Sequence, residues 1–80
     1  MEIKVLGIGC ATCQKLYKHV EEVISENNII ATLEKIEDVE KIMAYGIMSV
    51  PALIINNKII FAGKSPNKDQ IKEYLLKDYN

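Results

Sequence analysis

The chain has 80 residues, 49% of them hydrophobic, with ten lysines, no arginine and eleven acidic residues for a formal net charge of −1. That length suits one small domain, residues 1–80, with a real apolar core. The charge balance without arginine argues against a nucleic-acid module, which relies on a basic face and on bidentate guanidinium forks. No apolar run approaches the roughly 20 residues of a membrane span. The start, "MEIKVLGIG", has neither the basic opening nor the cleavage site of a secretory leader, so the expected setting is cytoplasmic.

Ile3–Ile8 is short, apolar and β-branched and reads as a buried strand. Cys13, Leu16, Tyr17, Val20, Val23 and Ile24 then recur at helical spacing, opposite Gln14, Lys15, Lys18, Glu22 and Glu26. This predicts an amphipathic helix from about Cys10 to Glu26, closed near Asn27–Asn28. Ile29–Ile36 is bounded like a strand. Glu37 or Asp38 opens a short helix to Tyr45, with Val39, Ile42 and Met43 inward and Gly46 at its left-handed C′ position. Ala52–Ile55 and Lys58–Phe61 flank Asn56-Asn57, which tolerate the positive φ of a two-residue hairpin turn. Gly63 ends the hairpin. A last helix follows, with Ser65 as N-cap, Pro66 as its first residue, and Ile71, Tyr74 and Leu75 inward. The order is βαβαββα. It predicts an α/β fold: a four-stranded mixed sheet with its first two strands parallel, a terminal antiparallel hairpin, and helices on both faces.

The two cysteines, Cys10 and Cys13, stand in "GIGCATCQK" at the strand-to-helix turn. Unpaired N–H groups and the helix dipole favour thiolate there. At about 100° per residue, Cys13 lies near the centre of the apolar face and Cys10 roughly 90° from it. Cys10 is thus the expected accessible sulfur and Cys13 the sheltered one. Disulfide exchange needs that asymmetry: an outer thiolate attacks, and an inner thiol resolves the mixed disulfide. In a cytosolic chain a lasting structural disulfide is not expected. Three other readings stand beside exchange. The cysteines can simply pack. The pair can be a dithiol carrier for a soft metal or metalloid such as Cu(I), mercury or arsenic. Or the domain can be a non-catalytic binding module. A closed zinc site needs four ligands, and the single histidine, His19, falls on the flank of the first helix, so no resident metal is expected. Copper and mercury carriers of this size place a hairpin directly after the first helix, whereas a second helix intervenes here. Tyr17 and Tyr45 read as packing residues.

"YGIMSVPALII", Tyr45 to Ile55, resembles the thioredoxin segment that leads through a cis-proline into the central hairpin. Together with "GIGCATC", "IINNKIIFAG" and a final helix it covers nearly the whole chain. The sequence resembles the small thioredoxin-like family of redox-active disulfide proteins, which are glutaredoxin-like in size. The resemblance implies a protein-disulfide reductase with Cys10 and Cys13 catalytic and no cofactor beyond their disulfide. It implies a cis Val50–Pro51 peptide beside the cysteines, whose freed Val50 N–H and C=O pair with substrate as an added strand. Ser49, Val50, Pro51 and Gly63, with Thr12 between the cysteines and Met48 nearby, are the expected substrate-binding residues. The expected partners are a disulfide-containing protein and a reductase or low-molecular-weight thiol as electron donor, with no nucleic acid or membrane, the chain being a monomer. The sequence departs from the commonest relatives in three places. Thr12 stands where proline is usual. No acid lies between Ile3 and Cys10. "FAGKSPNKDQ" has one glycine and Lys64 where glutaredoxins hold glutathione with Gly-Gly and an acid.

Overall fold

A computed structural model describes residues 1–9, 11–64 and 66–79. Its elements are β1 (Glu2–Leu6), α1 (Ala11–Glu26), β2 (Thr32–Ile36), α2 (Val39–Ala44), β3 (Ala52–Ile55), β4 (Lys58–Ala62) and α3 (Lys68–Tyr79). The strands lie in the order β2-β1-β3-β4. β1 runs parallel to β2 and antiparallel to β3, and β3 and β4 form the antiparallel hairpin. This is the predicted mixed α/β sheet.

Alternation along the strands divides the core. Ile3 and Val5 of β1, with Leu53 and Ile55 of β3, face one side and pack with Leu16, Val20 and Val23 of α1 and Ile71 and Leu75 of α3. Leu6, Ala52 and Ile54 face the other side and pack with Ile36, Ile42 and Ile47 around α2. The period of two in a strand produces this split directly. All four residues of β3 are buried, as a continuous apolar run on a central strand requires. Lys68 Nζ, 2.6 Å from Glu26 Oε2, ties α3 to α1, and this hydrogen bond is the main cause holding the lysine above its usual range. Its contribution is present below the ordinary lysine range and is lost only as pH rises through the raised value.

Turns and caps follow residue chemistry. Asn56 (φ 50°) and Asn57 (φ 65°) both take positive φ in the hairpin turn, and Asn28 (φ 51°) does so after α1. Gly46, at φ 77°, follows α2 and donates its N–H to Met43 O at 2.9 Å. Asp38, not Glu37, caps α2, its Oδ1 accepting from Glu40 N at 2.9 Å. Asp38→Ala is expected to cost about 1 kcal/mol, read as a lower denaturation midpoint with an unchanged denaturant slope.

Several boundaries differ from expectation. β1 ends at Leu6 and Ile8 is 52% exposed, because the chain leaves the sheet at Gly7. β2 starts only at Thr32. Ile29 is still held by α1, donating its N–H to Ile24 O at 3.0 Å, and Ile30 is 81% exposed. In α2 only Ile42 points inward, while Val39 and Met43 are exposed, since a helix of 6 residues offers the sheet barely one row. β4 runs one residue further than expected, to Ala62, past a register shift opposite Leu53/Ile54. The predicted cap Ser65 lies outside the described residues, and Pro66 precedes the helix instead of opening it. Asn67 caps α3 in a reciprocal box: Gln70 N donates to Asn67 Oδ1 at 2.9 Å, and Asn67 N donates to Gln70 Oε1 at 3.1 Å.

Candidate active site

The strand registers bring distant parts of the sequence to one end of the sheet. Leu6 lies opposite Ala52, and Ala52 opposite Ala62. The next residues outward are Gly7, Pro51 and Gly63. Gly7 donates its N–H to Ile36 O at 3.0 Å, and Gly63 donates to Pro51 O at 2.9 Å. The Val50–Pro51 peptide is cis. Pro51 is buried, while Ser49 and Val50 are exposed. Gly63 takes φ 75°, and a Cβ there would meet Ser49 Cβ at 2.8 Å. Ser49, Val50, Pro51 and Gly63 therefore form one cluster.

Cys13 is buried on the inner face of α1, where helical phase placed it. Its side chain occupies the space a side chain at Gly7 would need. A Cβ at Gly7 would clash with Cys13 Sγ and lie 2.7 Å from Cys13 Cβ. Glycine at this turn is thus a steric requirement for seating Cys13 against the end of β1. Cys10, the predicted nucleophile, lies outside the described residues. Ala11 and Thr12, between the cysteines, are exposed. The first turn of α1 contains no acidic residue to offset its positive dipole end. Gln14 Nε2 donates to Gly9 O at 3.4 Å, bridging that turn to the loop before it.

The structure adds residues that sequence reasoning put elsewhere. Ile8, Val39, Met43, Met48 and Val50, all exposed, line a cavity of about 260 Å³ with Ile42 and Ile47. Met48 and Val50 were expected near substrate. The spacing of Ile8 and Met43 predicts core positions, and nothing in a single sequence distinguishes an apolar rim from an apolar core. A larger cleft of about 460 Å³, lined by Lys4, Glu34 and Tyr45, holds none of the predicted site residues. There Lys4 Nζ donates to Tyr45 Oη at 2.9 Å and sits 5.6 Å from the ring centroid. That hydrogen bond is the main cause holding the lysine above its usual range. His19 is half-buried on α1, and Tyr17 and Tyr45 are half-buried as well. Among the described residues no group of three His, Cys, Asp or Glu side chains is placed to hold a metal ion, and no helix is long and apolar enough to cross a membrane.

The sequence is similar to those of known proteins. The family described as "Thioredoxin domain" matches residues 1–76. A thioredoxin of Methanothermobacter thermautotrophicus is 35% identical over 75 residues, covering 94% of this chain and 97% of that protein. Two thioredoxins of Methanocaldococcus jannaschii are similar at 33% and 37% identity. These cover 91% and 85% of this chain, and 84% and 82% of their own lengths. The chain belongs to the thioredoxin family and, at the level of that family, is a thiol–disulfide oxidoreductase.

Proposed function

We propose that the protein reduces disulfides in polypeptide substrates through Cys10 and Cys13. The Cys10 thiolate attacks one substrate sulfur, forming a mixed disulfide and expelling the other sulfur as a thiolate. Cys13 then attacks the Cys10 sulfur, releasing the second substrate thiolate and leaving the Cys10–Cys13 disulfide. Two electrons pass to the substrate, and its two sulfurs leave with the protons the cysteines gave up. The observation that carries this reading is the seating of Cys13. It is buried against Gly7, at the same end of the sheet as the exposed Ser49–Val50 segment and Gly63.

In this reading the Val50 backbone and Thr12 hold an extended substrate, Gly63 keeps the Ser49 side chain in place, and the apolar rim takes a substrate side chain. A reductase or low-molecular-weight thiol restores the dithiol, and the proposed setting is the cytoplasm. The dithiol-carrier alternative gains nothing from the fold, because α2 still separates β2 from the hairpin.

Insulin reduction with dithiothreitol as electron source tests the proposal. The full chain is expected to accelerate it, and Cys10→Ser is expected to fall to the uncatalysed rate. Full turnover by Cys10→Ser would refute the assignment of the nucleophile.

A further inference from the structure

One carboxylate stands at the loop that leads into Cys10. A Cβ at Gly9 would lie 3.9 Å from Glu37 Oε2, and Gly9 directly precedes Cys10 in the sequence. Glu37 follows the last residue of β2, so the parallel pairing of β1 with β2 delivers it to the same end of the sheet as the cysteine loop.

Its counter-charge lies to one side. Lys35 Nζ is 4.0 Å from the same Glu37 oxygen and 5.7 Å from the centroid of the Tyr17 ring on α1. The lysine is thus shared with α1, and the carboxylate is the member of the pair found beside Gly9. Both side chains remain solvated, at 31% and 53% exposure, so the pair is loose and does not cancel the acid's field at the loop.

We propose that Glu37 selects substrates by charge, so that the protein prefers disulfides flanked by neutral or basic groups and disfavours anionic ones. This rests on the reading of Cys10 as the attacking thiolate. The exchange itself is unchanged: the dithiol is oxidised, the disulfide RSSR is reduced to two RSH, and Glu37 alters only how readily a charged RSSR reaches the loop. Glutathione disulfide, a net dianion at neutral pH, is the disfavoured case. Cystamine, a dication, is the favoured one.

The test is single-turnover oxidation of the pre-reduced full chain by excess cystamine, hydroxyethyl disulfide or glutathione disulfide, followed by acid quench and mass. Wild type, Glu37→Gln and Lys35→Gln are compared. The ratio of the cystamine rate to the glutathione disulfide rate is compared between proteins, so intrinsic differences between the leaving thiols cancel. If opposite unit charges on the two disulfides pass about 8 Å from Glu37 in a water-like medium, Glu37→Gln is expected to lower this ratio about fivefold at low salt. Lys35→Gln is expected to raise it, and both changes shrink at about 1 M salt, where the Debye length is about 3 Å. A purely structural role for either residue would move all three rates together. Equal ratios in the three proteins, or shifts of the same sign in the two variants, would overturn the selection by charge while leaving the exchange reaction standing. Failure of the wild type to react with neutral hydroxyethyl disulfide would overturn the exchange reaction and the selection with it.

Discussion

Replacing Gly7 by valine is expected to destabilise the protein by about 3 kcal/mol, or roughly 15 °C in melting temperature, and to slow the second half of the exchange reaction. The cause is local. Even a single Cβ at Gly7 would overlap Cys13 Sγ, and the neighbours cannot yield cheaply. Gly7 is held by its N–H to Ile36 O, and Cys13 lies on a helix whose Leu16, Val20 and Val23 are locked in the core. Overpacking at such a point forces off-rotamer side chains or backbone shifts. Gly7→Ala is the milder probe, about 1–2 kcal/mol, because one carbon is added instead of three. In that variant, still folded, Cys13 is displaced from its seat, so mixed disulfide between protein and substrate is expected to accumulate. Thermal melts give the first effect, and mass measurement of quenched reaction mixtures gives the second. Melting curves for Gly7→Ala and Gly7→Val that overlay the wild type would show that the contact is not there.

The second large effect is expected at Gly63. Gly63→Ala introduces a left-handed residue, costing about 1 kcal/mol, and a Cβ that meets Ser49 Cβ at 2.8 Å. Together these amount to about 2–3 kcal/mol. The two causes separate in a double-mutant cycle, because Ser49→Gly removes the opposing Cβ. Ser49→Gly/Gly63→Ala is expected to recover the steric part and leave the backbone part. Ser49 adjoins Val50, so Gly63→Ala is also expected to raise KM for a protein substrate more than it lowers kcat. A cycle without coupling would remove the contact from the account.

Much of this was legible in the sequence, and the reasons are physical. Signals that depend on one or two residues transferred well: paired asparagines for the hairpin turn, an acidic cap at Glu37 or Asp38 before α2, Gly46 after it, and the helical phase that buried Cys13. Hydrophobic spacing was a poorer guide wherever an apolar residue lies on a rim instead of in the core. Ile8, Val39 and Met43 match their periodic patterns, yet α2 has too few turns, and β1 ends too early, to cover them. The cap of α3 is not legible locally, because Ser65-Pro66 is a stronger local signal than Asn67, while the reciprocal Asn67–Gln70 hydrogen bonds become visible only in three dimensions. Glu37 had no sequence signal beyond candidacy as a cap. Its place beside Gly9 comes from the pairing of β1 with β2, a long-range fact.

The measurement that bears most directly on the division of labour between the cysteines is covalent trapping. Cys13→Ser, pre-reduced and mixed with a disulfide-containing protein, should form a stable mixed disulfide that peptide mass mapping locates at Cys10. Cys10→Ser under the same conditions should form none, because its remaining sulfur is buried on the inner face of α1. Adduct formation at Cys13 in Cys10→Ser, at a rate matching that of Cys13→Ser, would contradict the account.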